Sequence, residues 1–325
     1  MTFLRLGPNE WLGAVGDLGT FVPIFLSLAA VSGLPVAPTL LLTGAVYIAT
    51  ALFFRVPVPV QPLKAMAAIV IARGLGMPVL SAAGLWMGVI LLGLALSGRA
   101  DALGRFFTTP IVKGIQFGVG LMLMKAGVGM LSSAQPALGA MEAAVRGPGM
   151  ADFLTAFWLL VLPQVPLTLG NSVYATADAA KGYFGEEARR VTPTRLMLSL
   201  GAVNLVAGLC GTLPLCHGSG GLTAHVRFGA RTAGSTLLLG TSFVLLGVVF
   251  SGSAQGVLGS IPPALLGLML LYVGACHALL LRGLREKRTL AVAMGALGLM
   301  TGNLAYALVL GLLAEAVLYR KFTRS

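Results

Sequence analysis

Apolar positions run along this chain in long blocks, with little short-range alternation, and the blocks predict helices. They fall near residues 10–31, 37–54, 62–74, 78–98, 107–131, 152–181, 195–211, 219–230, 233–251, 262–281, 288–299 and 300–319. Several approach the ~20 residues that a helix needs to cross a ~30 Å hydrocarbon core. The 152–181 block contains Pro163 and Pro166, so it reads either as one segment or as a short one followed by a helix from about Pro166. The small-residue stretch 132–150 is a candidate for one more short helix, which makes 12 to 14 segments in all. The expectation is an all-α polytopic membrane protein.

Two of the blocks are interrupted, and the interruptions match. One is Pro57-Val-Pro-Val-Gln-Pro-Leu-Lys64; the other is Leu213-Pro-Leu-Cys-His-Gly-Ser-Gly-Gly221. Each follows an apolar segment carrying Gly-Ala-Val, at Gly44–Val46 and Gly201–Val203, and each precedes a second apolar segment. A shift of 157 aligns Leu41 with Leu198, Leu52 with Leu209, Pro57 with Pro214 and Ala67 with Ala224 without gaps. Farther out, Gly16-Asp17 pairs with Gly170-Asn171 at 154, and Pro110 and Gly114 pair with Pro263 and Gly267 at 153. The first segment and the helix at 166–181 then run in opposite directions, as an inverted repeat requires. The expected halves are residues 1–160 and 161–325.

Composition and charge agree with this reading. The chain has 325 residues, 57% hydrophobic and only 10% charged, where soluble proteins average ~25% charged. Mean hydropathy is +0.92. Net charge is +12, but the basic residues fall between apolar blocks, which fits the positive-inside rule and argues against nucleic acid as a partner. With the N-terminus cytoplasmic, Arg5, Arg99, Arg105, Lys181–Arg195, Arg227, Arg231, Arg282–Arg288 and Arg320–Arg324 all fall inside, and the loops 32–38 and 252–261 fall outside without charge. Both termini are therefore expected in the cytoplasm and the chain in the inner (plasma) membrane. No soluble domain and no cleaved signal peptide are expected. Cys210, Cys216 and Cys276 lack metal or redox spacing and are expected to pack as small buried residues. No catalytic motif appears, so an enzyme, a metal site and a cofactor are not expected.

The interruptions carry the candidate chemistry. Pro57, Pro59 and Pro62 favour an extended stretch, a short strand, before a helix starting near Pro62. The second interruption has Gly218, Ser219 and Gly220 at the matching helix start. Two half-helices with N-termini directed at mid-membrane would form an anion site from free N–H groups and dipole ends. Gln61 and Ser219 can donate hydrogen bonds there, and Lys64 can add charge. The bland alternative is that prolines and glycines merely kink packed helices. Asp17 is an acid within an apolar block, which is rare and costs at least ~2.5 kcal/mol; it reads as a proton carrier or as a structurally paired carboxylate. His217 reads as a titrating group, an anion donor or a backbone-bonded residue at the helix start. Thr20, Asn171 and Ser172, with Thr168, add polar groups on two further helices. His225 and His277 read as peripheral.

Four strings, Gly16-Asp-Leu-Gly-Thr-Phe-Val-Pro-Ile24, Pro57–Lys64, Pro166-Leu-Thr-Leu-Gly-Asn-Ser-Val173 and Pro214-Leu-Cys-His-Gly-Ser-Gly-Gly-Leu222, resemble the plant-type molybdate transporter family and its bacterial members, a branch related to the SulP sulfate permeases. The resemblance implies a seven-plus-seven inverted repeat with core and gate domains, as in uracil permease-like transporters. It implies a molybdate or sulfate oxyanion bound where the third and tenth segments meet, and a possible homodimer. SulP proteins usually carry a C-terminal STAS domain, which is not expected here. Many also carry an acid on the eighth segment, where this chain has Asn171; that moves proton coupling to Asp17, with His217 as the second candidate. The function expected is secondary active transport of a tetrahedral oxyanion, proton-coupled, with protons and membrane lipid as the other partners. The alternatives are a nucleobase or carboxylate symporter on the same fold, an anion channel, or a membrane enzyme using Cys216 or His217.

Overall fold

The computed structural model describes residues 3–132, 146–251 and 260–322. The candidate helix within 132–150 and most of the loop 252–261 lie outside the described residues. The helices are α1 (Pro8–Ser32), α2 (Val36–Phe54), α3 (Lys64–Arg73), α4 (Met77–Ser97), the short α5 (Ala100–Gly104) and α6 (Thr109–Ser132). After these comes α7, a continuous helical run from Met150 to Phe184. The chain then forms α8 (Pro193–Leu209), α9 (Ser219–Arg227), α10 (Gly234–Val249), α11 (Pro263–Leu279), α12 (Arg288–Thr301) and α13 (Leu304–Phe322). Among the described residues, six helices are long and apolar enough to cross a membrane. Large apolar side chains such as Leu96, Leu209, Val249 and Met300 stand exposed on the outside. Such a surface suits lipid and would be a liability in water. The protein is a multi-pass membrane protein.

The 152–181 block is one helix. Of the two readings left open at Pro163 and Pro166, the unbroken one holds, and π-helical turns at Phe157–Val161 and Thr168–Tyr174 flank the prolines. A wider turn absorbs the missing N–H and the ring that would clash in a regular α-helix. The boundary expected at 160/161 lies inside this helix.

The interruptions become two short strands, β1 (Gln61–Pro62) and β2 (Leu215–Cys216), paired antiparallel with Gln61 opposite Cys216 and Pro62 opposite Leu215. Gln61 and Cys216 are 155 positions apart, as are Leu63 and Gly218, the residues that precede α3 and α9. With the helix starts as the register, Gln61 and Cys216 are equivalent and face each other, as a pseudo-twofold axis through the strand crossing requires. Helix packing follows the same exchange: α2 packs on α10 while α4 packs on α8, and α6 packs on α11. In the last pair the backbones touch. A Cβ on Gly120 would lie 2.6 Å from the Gly274 carbonyl, and one on Gly127 would lie 2.6 Å from that of Gly267. The two glycine pairs run antiparallel, and only small residues permit that approach.

The core lies around the strands. Phe21, Tyr47 and Phe243 join α1, α2 and α10, with ring centroids 4.7 Å apart for Phe21–Phe243 and 5.8 Å for Tyr47–Phe243. Asn204 on α8 fixes β2 by grasping both backbone groups of Leu215: Nδ2 donates to its carbonyl at 2.8 Å and Oδ1 accepts its N–H at 2.9 Å.

Candidate functional site

A cavity of about 170 Å³ opens at the strand crossing. By liquid volume this is room for about six waters at ~30 Å³ each, enough for a small oxyanion. Gln61 and Lys64 line it from the first interruption and Cys216, Gly220 and Gly221 from the second. Thr20 comes from α1, and Gln164, Asn171 and Ser172 come from α7. Opposite stand Gln116 of α6 and Cys276 and His277 of α11.

The two half-helix N-termini differ chemically. At α3, the N–H groups of Ala65 and Met66 are taken by Gln164 Oε1, at 3.0 and 3.2 Å. The free N–H groups expected there are therefore capped, and Lys64 supplies the positive charge. At α9, Ser219 and Gly220 keep backbone N–H groups with no hydrogen-bond partner among the described residues. The Ser219 hydroxyl donates to Asn171 Oδ1 at 2.8 Å. That bond turns Asn171 Nδ2 toward Gly218, whose Cβ, were there one, would lie 3.3 Å from it, 3.0 Å from Lys64 Nζ and 3.2 Å from the Gln61 Oε1 that holds Lys64. An ammonium, an amide and an uncapped helix N-terminus thus converge where Gly218 has no side chain. This arrangement attracts an anion.

Behind the cavity runs a buried polar chain. Lys64 Nζ donates to Gln61 Oε1 at 2.7 Å, and Gln61 Nε2 donates to Asp17 Oδ1. The Tyr47 hydroxyl donates to Asp17 Oδ2, and His225 Nε2 stands 3.3 Å from the same oxygen. The His225 approach is an ion-pair distance without hydrogen-bond alignment, so both ring nitrogens remain without a hydrogen bond among the described residues. Lysine can only donate, so the Gln61 oxygen must face Lys64 and its nitrogen Asp17. One amide links the carboxylate to the cationic wall of the cavity. Gly221 closes the corner: a Cβ there would sit 2.7 Å from Asp17 Oδ1, Gln61 Nε2 and Pro59 Cβ.

Of the residues singled out from sequence, Gln61, Lys64, Gly220, Thr20, Asn171 and Ser172 line the cavity, and Gly218, Ser219 and Asp17 stand directly behind them. His217 does not reach it. Its Nδ1 lies 2.8 Å from the Pro59 carbonyl and its Nε2 3.0 Å from Ser199 Oγ, while its own carbonyl accepts from Thr176. His217 and Cys216 point opposite ways from an extended strand, so they form no nucleophilic pair. Two expectations fail. His225 and His277 are buried and not peripheral: one touches Asp17, the other lines the cavity. Cys216 is buried, but Cys210 and Cys276 are exposed, Cys276 on the cavity wall. Gln164, Gln116, Tyr47 and Asn204 were missed. Gln164 and Gln116 are polar residues in apolar blocks and carried a signal; Tyr47 carried none, since tyrosine is ordinary in such a segment. Among the described residues no cluster of His, Cys, Asp and Glu could hold a metal ion.

Comparison with known proteins agrees with this geometry. Residues 9–123 and 156–276 match the family described as "Molybdate transporter of MFS superfamily". The chain is 28% identical to Molybdate transporter 2 of Arabidopsis thaliana, over 96% of this chain and 86% of the relative. It is 27% identical to Molybdate transporter 1 of the same plant, over 90% and 86%, and 25% identical to Molybdate transporter 1 of Chlamydomonas reinhardtii, over 90% and 87%. Among solved structures, the transmembrane domain of the cyanobacterial bicarbonate transporter BicA superposes with a TM-score of 0.60 at 18% identity, over 93% of this chain and 97% of that one. SLC26A9 superposes at 0.59 and 12% identity, over 97% of this chain and 65% of that one. These two share the fold, that of the SulP and SLC26 carriers. By its match over both halves, the chain belongs to the molybdate transporter family, a family of transporters and not of enzymes.

Proposed function

We propose that this protein is a secondary transporter of a tetrahedral oxyanion, molybdate with sulfate as the close competitor, and that protons accompany the anion. The observation that carries the reading is the convergence of Lys64 Nζ, Asn171 Nδ2 and the uncapped N-terminus of α9 on one small cavity. The relatives named above as molybdate transporters support the choice of anion. The two interruptions and the helices around them form a core that moves against a gate containing α6 and α11–α13. The N-terminus faces the cytoplasm, across an inner (plasma) membrane.

The buried chain suggests how a proton would be coupled. With Asp17 ionised, Gln61 donates to it and holds Lys64 through Oε1. A protonated Asp17 becomes a donor, and the Gln61 amide turns to accept from it. Its NH₂ then faces the Lys64 ammonium, and Lys64 is released toward the cavity and the anion. Inward movement of a dianion against 100 mV costs about 4.6 kcal/mol, at ~2.3 kcal/mol per charge. One proton offsets half of that and two offset all of it.

The test is uptake of molybdate into proteoliposomes with and without an inward proton gradient, with sulfate, bicarbonate and uracil as competitors. Competition by sulfate alone and stimulation by the gradient are expected. Equal uptake in both conditions would remove proton coupling, and competition by uracil would favour the nucleobase reading. Flux at channel rates would remove the carrier.

A further inference from the structure

A larger concavity than the transport cavity lies elsewhere. It measures about 640 Å³ and is lined by Arg5, Arg55, Arg189, Arg190 and Arg231, with Glu186 and Glu187 as the acids on its wall. Four separate parts of the chain build it: the segment before α1, the end of α2, the turn after α7 and the loop between α9 and α10. Phe3, Tyr183 and Phe184 supply aromatic surface in the same space.

The arginines are held open. None of the five guanidinium groups pairs with a carboxylate among the described residues. Arg190 donates to the Phe53 carbonyl at 3.0 Å, and Arg231 donates to those of Val226 and Ala230 at 2.9 and 3.0 Å. These bonds fix the guanidinium groups while leaving most of their donors unused. Arg55 lies over the Phe3 ring at 4.8 Å. Desolvation and the like charges of Arg55, Arg189 and Arg195 lower the Arg190 guanidinium from its usual value. Five guanidinium groups against two unpaired carboxylates leave the cavity positive.

Arg55 adds a second, independent observation. It ends α2 in the left-handed region at φ 63°. At Gly33, Gly74, Gly98 and Gly302 the equivalent helix ends use glycine, as the conformation favours. A side chain at this position costs stability, and what it contributes is a guanidinium on the cavity wall.

A positive-inside bias would place arginines along an interface but would not by itself gather them around one concave, aromatic-lined space. Fixed guanidinium forks match phosphate geometry, and a cavity of this size lies in the range of small-molecule sites, ~300–1,000 Å³. We propose that this arginine-lined cavity is a second anion site, distinct from the transport cavity, that binds a phosphate-bearing organic anion. A soluble nucleotide and the headgroup of an anionic lipid share that chemistry.

The test is equilibrium binding of ADP and of inorganic phosphate to the intact protein in phosphatidylcholine nanodiscs, repeated in nanodiscs containing phosphatidylglycerol. Saturable ADP binding is expected, weakened tenfold or more in Arg189→Gln and in Arg55→Gly. Arg55→Gly is the sharper variant, because it relieves the left-handed residue: its melting temperature should hold or rise while ADP affinity falls. Molybdate binding should persist in both variants, and ADP binding should persist in Lys64→Ala. Loss of ADP binding on adding phosphatidylglycerol supports the site and identifies the headgroup as its occupant. Absence of saturable binding by either probe together with no effect of phosphatidylglycerol, or ADP binding unchanged in both arginine variants, would overturn the proposal.

Discussion

His225 Nε2 lies 3.3 Å from Asp17 Oδ2, and both side chains are fully buried. The contact joins α9 to α1 directly behind the anion cavity. The His225 ring has no hydrogen bond among the described residues, so Asp17 is held by Tyr47 and Gln61 and by this close contact.

Asp17→Asn removes the titrating group and should abolish stimulation of uptake by an inward proton gradient while leaving some gradient-independent exchange. His225→Gln keeps a polar group and should weaken the stimulation without eliminating it. Counterflow against gradient-driven uptake in proteoliposomes separates the two. Full stimulation in Asp17→Asn would exclude the carboxylate as carrier.

Lys64→Ala removes the one lysine among the described residues of the cavity wall. A hydrogen bond to a charged group contributes about 1.5–3 kcal/mol, so molybdate affinity should fall roughly 10- to 100-fold. Gln61→Ala should also lower affinity, since without the intervening amide the Asp17 carboxylate competes with the anion for Lys64. Ser219→Ala should act more weakly, because its hydroxyl orients Asn171. Isothermal titration orders the three, and unchanged affinity in all of them would move the site elsewhere.

Neighbouring glycines should behave oppositely. A Cβ on Gly220 meets nothing within 4 Å, whereas one on Gly221 meets Asp17, Gln61 and Pro59 at 2.7 Å. Gly220→Ala should fold normally, yet its methyl enters the cavity and should weaken anion binding. Gly221→Ala should cost about 1–3 kcal/mol through overpacking. Thermal melts paired with binding isotherms distinguish them.

Glu10 accepts backbone N–H bonds from Arg231, Thr232 and Ser235 at 2.9, 3.0 and 3.1 Å, tying α1 to the start of α10. Glu10→Ala leaves these donors unpaired at about 1–3 kcal/mol each. The melting temperature should drop by several degrees. Glu10→Gln, which keeps one acceptor oxygen, should drop less. Equal losses in the two would show that the charge is what matters.

Much of the site was legible because the interruptions are local. Proline and glycine declare a broken helix wherever they stand, and their repetition at a near-constant shift places Gln61, Lys64 and Gly218–Gly220 at equivalent half-helix starts. The capping of α3 was not legible. It depends on Gln164, 99 positions from Ala65, and nothing near either residue announces the other. The same holds for His225, whose neighbours show only an apolar helix face. His217 shows the converse: a conspicuous residue beside the motif, turned by strand geometry away from the cavity toward Ser199.

Sequence alone determined the membrane class, the succession of helices, the twofold repetition and the two broken-helix positions, since hydropathy, charge and backbone preference are properties of short stretches. Tertiary structure decided that α7 runs unbroken through its prolines, that the N-terminus of α3 is capped while that of α9 is bare, and that a single amide joins Asp17 to Lys64. Those outcomes depend on side chains from distant helices meeting within about 3 Å, and packing of the whole bundle sets such distances.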